Sequence, residues 1–301
     1  MHIVFTPEDV IGGLEVARLW EALGMTHPLD RVTHGWMIAT GRRVRADHVP
    51  WLAGPTGHPD VVGDEWVERT AAELSGRTST GPDHGLLPDF GALAGPEFDP
   101  GEVDPRIADF YERTPRWQID LWSQWSPVAW PFGVLLTALW SNRLQQLSLP
   151  MHPLDASFGM DSAVVQIHDA DDRVAGAAWL RTMRKTGRTI YSGFYGTATL
   201  PGSDQPSVRV IFPLPFGSLP VLLRPEADNG GLHLHSPIGP FGSHGAYLLL
   251  ARPRGTFVVR RIPVAEHFHL YVDEDGDVRA DHSLRLGRIP VLRLHYRMRR
   301  A

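Results

Sequence analysis

The chain has no cysteine among its 301 residues, which removes a disulfide framework, a thiolate nucleophile and any cysteine-ligated metal or iron–sulfur centre. Lysine is nearly absent too: lysine and arginine together number 29, and Lys185 is the single lysine. No apolar run reaches the about 20 residues that a bilayer-spanning helix needs. The most apolar stretch, 127–140 (PVAWPFGVLLTALW), falls short of that length, so no membrane span is expected. Several motifs are also missing: a Walker loop, a dinucleotide glycine fingerprint after a first strand, a Gly-x-Ser-x-Gly elbow and a His-Glu-x-x-His zinc helix. Nucleotide-driven, nicotinamide-dependent and serine-hydrolase chemistry are disfavoured accordingly, and no cofactor is called for.

Charge excludes little. The formal net charge is -5, and nothing in it calls for nucleic acid. Arginines crowd the C-terminal part (Arg252, Arg254, Arg260, Arg261, Arg285, Arg288, Arg293, Arg297, Arg299, Arg300), relieved by the acidic turn Asp273-Glu274-Asp275-Gly276-Asp277. Because they alternate with apolar residues, they read as the wet face of strands. The first residues lack a basic stretch and reach Glu8 and Asp9 at once, which argues against a signal peptide. Together with the lack of cysteine, this makes the expected location cytoplasmic.

What is present divides into a helical first part and a strand-only second part. Thr6-Pro7-Glu8-Asp9 is a helix start, a hydroxyl cap followed by proline and acids, and Val10, Leu14, Ala17, Trp20 and Leu23 continue the apolar stripe to Gly24. A second helix is expected over 64–74; residues 33–52 carry no clear period. Residues 76–105 are rich in glycine and proline, yet they hold Leu86, Leu87, Phe90, Leu93 and Phe98. Such a segment fits a linker that lies along a core better than a disordered tether. The expected organisation is therefore a helical region with linker over 1–103 and a main domain over 104–301.

Asp104-Pro105 opens a tryptophan-rich block, 104–147, that reads as short helices divided by Pro115, Pro127 and Pro131. After Pro150 the period becomes two. Strands are expected at 162–168, 174–183, 189–200, 207–214, 219–225, 231–235, 246–251, 256–261, 267–272 and 289–298, separated by turn residues such as Asp228-Asn229-Gly230-Gly231. About ten strands with short connections predict an α+β fold, in which helices precede a large antiparallel sheet or lipocalin-like barrel; closure removes exposed edges. The chain ends on a strand, which argues against a helix-grip fold.

The stretch from Asp104 onward resembles a bacterial β-rich domain family without assigned chemistry, in which helices precede a Trp-x-Arg strand and a Gly-Gly-Leu turn and strand. The residues that carry the likeness are Trp179-Leu180-Arg181, Ile190-Tyr191-Ser192 and Gly230-Gly231-Leu232-His233-Leu234-His235-Ser236. The likeness to lipocalins is one of shape, since Gly35-Trp36 lies too far upstream to match their opening motif.

Three groups of residues can carry chemistry. The first is a pair of His-x-His units, His233-Leu234-His235 and His267-Phe268-His269; on a strand each pair shares a face, a geometry that suits a metal ion. The plainer reading is a polar face alternating with buried Leu232, Leu234, Phe268 and Leu270, with no metal. The second is an acid–base set, Arg181, Tyr191, Tyr195 and His233, with Asp161, His168 and Glu226 near in kind. Tyr191 and Tyr195 are four apart on one strand and can reach one carbonyl oxygen. The third is apolar: Trp122, Trp125, Trp140 and Trp179 as cavity walls, and Phe216 and Phe241 in two Pro-Phe-Gly-Ser loops as a gate. Pro131-Phe132-Gly133 repeats that motif in part.

The expected partner is a hydrophobic small molecule, a lipid, terpenoid or polyketide-like compound, held inside the barrel beneath the tryptophan-rich helices. Catalysis, if the chain performs it, is expected to be a cofactor-free cyclisation, isomerisation or hydration. A metal-dependent enzyme built on the histidine pairs is the rival enzyme reading. A non-catalytic interaction protein is the third, and tryptophans at a membrane surface leave room for peripheral contact.

Overall fold

The computed structural model of the chain describes residues 28–57, 62–127, 160–184 and 189–301. Three helices, α1 (Pro28–Thr40), α2 (Trp66–Glu73) and α3 (Pro105–Glu112), lie among the described residues. Strands β1 (Arg42–Arg45), β2 (Thr78–Ser79) and β3 (Trp117–Trp125) come between or just after them. The remaining strands follow with no helix between them among the described residues: β4 (Met160–His168), β5 (Val174–Met183), β6 (Thr189–Thr199), β7 (Pro206–Leu214), β8 (Gly217–Asp228) and β9 (Gly231–Ser236). After them come β10 (Gly245–Arg252), β11 (Thr256–Arg261), β12 (Val264–Val272), β13 (Val278–Leu286) and β14 (Ile289–Arg300). The helix expected over residues 6–24, Trp140, and the Pro131-Phe132-Gly133 motif lie outside the described residues.

Among the described residues all strand pairs are antiparallel, and the order runs β2-β4-β5-β6-β7-β8-β9-β12-β13-β14-β3. The path branches at β8, whose first half also pairs with β10, followed by β11 and β1. The long β8 therefore serves two sheet halves, one on each side of a common interior. Its turn to β9 has Asn229 at φ 49° and Gly230 at φ 79°, the left-handed pair that a two-residue hairpin demands.

Three expectations change here. Fourteen strands replace about ten: β1, β2, β3 and β13 are additional. The sheet is curled but open, since among the described residues no pairing joins the β2–β4 edge to β3. The tryptophan-rich block is also not wholly helical. Asp104 caps α3 by accepting from Arg106 N (2.9 Å), and Ile107, Phe110 and Tyr111 bury one face. After the turn at Thr114–Arg116 the chain becomes β3, with Trp117 and Leu121 buried and Gln118, Trp122 and Gln124 exposed. That is period two, and aromatic side chains suit a half-buried pleated surface.

The main core fills the inner face of the curl. Val164, Ala177, Trp179, Tyr195, Val208, Val210 and Val221 of one half meet Leu232, Leu234, Leu270, Val278, Ala280 and Met298 of the other. The glycine- and proline-rich segment closes one end, because Leu86, Leu87, Phe90, Leu93 and Phe98 are buried in that core beside Ile107 and Phe110. At the other end Tyr191, Phe212, Leu219, Val264, Phe268 and Tyr296 are only partly buried. Outside, α2 lays Trp66, Val67 and Ala71 on Ile167, Ala178, Phe194 and Ile211, and Trp66 Nε1 donates to Ser192 Oγ at 2.6 Å. Among the described residues no helix is long and apolar enough to cross a membrane; this says nothing of a β-barrel.

Candidate functional site

The partly open end of the interior gathers polar groups from both sheet halves. On β5, alternation sends Trp179 and Arg181 inward while Ala178 and Leu180 pack outward under α2. Trp179 Nε1 donates to Ser162 Oγ at 2.7 Å, which fixes the indole. The Arg181 guanidinium lies 4.1 Å from the Trp179 ring centroid and 5.7 Å from those of Tyr191 and Tyr296. Arg181 is only 6% exposed, its Nη2 is buried with no hydrogen-bond partner, and it makes no ion pair among the described residues. The Tyr296 side chain is hydrogen-bonded to this guanidinium, but an enclosed charge without a counter-ion is costly to keep, and aromatic faces offset only a part of that cost.

Tyr191 and Tyr195 share β6 and the same face, and their hydroxyls are joined by a short hydrogen bond. The Tyr191 ring meets Trp179 and Phe212 edge to face at 5.6 and 5.5 Å. Burial pushes the phenols of Tyr191, Tyr195 and Tyr296 upward, while the Arg181 charge pulls the other way. These hydroxyls therefore stay protonated and act as donors, not as bases. From the opposite half come Tyr296 on β14, Glu266 on β12 and His282 on β13, with His282 Nε2 3.1 Å from Glu266 Oε2. The His282 ring stacks on Phe268 at 3.7 Å, and its Nδ1 is buried without a hydrogen-bond partner. The arrangement can seat a polar or anionic head against Arg181 and the phenols, with aromatic walls for an apolar body.

The histidine pairs lie on the other face of the sheet. Leu232, Leu234 and Leu270 point into the core, so His233, His235, His267 and His269 point outward. Register places His269 opposite His233 and His267 opposite His235. The rings stack at 4.2 Å (His233 on His269) and 4.5 Å (His235 on His267), and His233 Nδ1 and His267 Nε2 share a hydrogen bond of 2.9 Å. Burial, and then the neighbouring imidazoles and arginine, lower His235, His267 and His269; His267 falls to about 4. One ring nitrogen from each of His233, His235 and His267 lies within 4.8 Å of the others, so these three can hold a metal.

Of the residues singled out in sequence, Arg181, Tyr191, Tyr195 and Trp179 stand together on the inner face. Trp125 is on the inner face too, packed with Leu292, Leu294 and Tyr296. His233 does not join the tyrosines, because it occupies the outer positions of β9, and Trp122 is turned outward and 51% exposed. Phe216 and Phe241 do not form one gate. Phe216, at φ 58° in the β7–β8 turn, packs with Met37 and Leu250, whereas Phe241 packs against Trp51 and Tyr247. Asp161 pairs with Arg184, Glu226 with Arg224, and His168 with Ser79, none of them in the inner cluster. Tyr296, His282 and the inward place of Glu266 went unread; the alternation Val278, Ala280, His282, Leu284 was the available signal for His282.

Over 265 residues, 87% of its length, the chain is 29% identical to the uncharacterized membrane protein YndJ of Bacillus subtilis (strain 168). It spans 45% of that protein's length. No protein-family model and no solved structure matches the chain.

Proposed function

We propose that the chain binds an amphiphile at the half-open end of the curled sheet, an apolar body carrying a carboxylate or similar anionic head. The observation that carries this reading is Arg181, a buried guanidinium with an unpartnered Nη2 enclosed by Trp179, Tyr191 and Tyr296. An anionic head placed there gains a charge-assisted hydrogen bond in a setting where an unpaired donor is most costly. The Tyr191 and Tyr195 hydroxyls are further donors, and Phe212 and Phe268 offer apolar walls. Any chemistry at this site uses neutral phenols and the His282–Glu266 pair, which suits proton-assisted isomerisation, cyclisation or hydration without a cofactor. The relative's description as a membrane protein favours a ligand drawn from lipid and a place at the membrane surface; the cytoplasmic side is the side we propose, from the lack of cysteine.

Native mass spectrometry of the freshly purified chain tests the reading. A co-purifying acidic amphiphile, lost in Arg181→Met, is expected. Bare protein that also fails to take up a medium-chain fatty acid contradicts it.

A further inference from the structure

On the outer face of β9 and β12–β14 the histidine block differs from the ion pairs around it. Four cations on this face meet acids: Arg297 pairs with Asp277 at 2.5 Å, Arg279 with Asp273 at 2.6 Å, Arg299 with Asp120 at 2.9 Å, and His295 with Asp281 at 2.6 Å. At the β9–β12 junction nitrogen donors face nitrogen donors instead. Two His-x-His units on neighbouring antiparallel strands are in register, so four imidazoles form one compact block. A solvated strand face gains nothing from that repetition, since stacked imidazoles offer no opposite charge.

We propose that His233, His235 and His267 form a three-imidazole site for a divalent transition ion of the Zn2+ kind, bridging β9 and β12 on the outer face. Their nitrogens already lie within 4.8 Å of one another, and the His233–His267 pair is at 2.9 Å. Zinc–imidazole bonds of about 2.0–2.1 Å in a tetrahedron place ligand nitrogens about 3.4 Å apart. The observed separations, from 2.9 Å to no more than 4.8 Å, bracket that spacing. Glu226 Oε2 lies 3.4 Å from His235 Nε2 and supplies either an orienting hydrogen-bond acceptor or a fourth ligand. An all-imidazole set selects zinc, copper or nickel over calcium and magnesium, which require oxygen cages. The ion joins two strands on a face that no helix among the described residues covers, and it is separate from the amphiphile site on the inner face.

The test is calorimetric titration of the tag-free, chelator-treated chain with Zn2+, repeated with His235→Asn/His267→Asn and with His295→Asn. One ion per chain at micromolar affinity or tighter is expected, weakened about 100-fold or more in the double variant and unchanged in His295→Asn. Absence of saturable binding, or saturable binding that survives in a folded double variant, overturns the proposal. If the double variant does not fold, the visible spectrum of Co2+ added to the wild-type chain decides. Intense tetrahedral bands displaced by Zn2+ support the site, and an octahedral aquo spectrum overturns it.

Discussion

Among the described residues, the outer face of the sheet divides into a covered half and a bare half. Over β4–β7 and β10–β11, residues from the first part of the chain lie on the strands: Trp66 on Phe194 and Ile211, Trp51 and Leu52 on Leu222 and Tyr247, Met37 on Leu250 and Val258. Over β9, β12–β14 and β3 the outward positions are His233, His267, Asp281, His295, Arg297 and Trp122. The inner face is apolar in both halves except at the half-open end, where Arg181, Glu266 and His282 stand. Strands buried on both sides must be apolar at nearly every position, whereas strands wet on one side alternate. The difference in composition therefore matches where Met37, Trp51, Leu52 and Trp66 lie.

The largest effect that sharpens this comparison is expected from Trp66→Ala. The indole is fully buried and bonded to Ser192, so the loss is about 3–5 kcal/mol by urea unfolding. Trp122→Ala in the bare half should fall within about 0.5 kcal/mol. Equal losses would break the comparison.

On the inner face, Arg181→Met is expected to separate function from stability. Replacing an unpaired buried charge by an apolar side chain of similar length should be neutral or stabilising by about 1 kcal/mol, while amphiphile binding weakens at least about tenfold. A variant that unfolds instead would mark Arg181 as structural.

A smaller effect separates the halves by pH. His244 lies beside buried Ser207, 2.8 Å from its hydroxyl, and burial with Arg224 and Arg261 nearby lowers its pKa to about 4. The unfolded chain, with a histidine pKa of about 6.5, then takes up the proton first. Stability from this group is full above about pH 6.5 and falls as the pH drops towards 4, by on the order of 1 kcal/mol. Urea midpoints at neutral and mildly acidic pH should show that this component is gone in His244→Gln. The smallest change is expected from Asp281→Asn, which breaks a half-exposed pair with His295 and should alter stability by less than about 0.5 kcal/mol.

Much of the architecture was legible because local signals agreed. Residues 64–74 contain α2, the Asn229-Gly230 turn carries the left-handed angles expected of it, and 256–261 coincides with β11. β3 was hidden because five aromatic residues between Phe110 and Trp125, broken by Pro115, looked like short helices, although Trp117, Ile119 and Leu121 already alternate with polar residues. β13 was hidden by His282, a polar residue at an inward position. At the site, Tyr191 and Tyr195 could be placed on one face by spacing alone, with Trp179 and Arg181 on the neighbouring strand. Tyr296 and His282 could not, because only the curl of the sheet brings β13 and β14 over β5 and β6, and no local period encodes that long-range approach.

The most direct measurement compares a medium-chain fatty acid with the matching alcohol by tryptophan fluorescence, in the wild-type chain and in Arg181→Met. The acid should bind the wild type at least about tenfold more tightly than the alcohol, and the two should bind the variant alike. Equal binding of acid and alcohol to the wild type, or no binding of either, would contradict an anion-seeking Arg181 at the half-open end of the sheet.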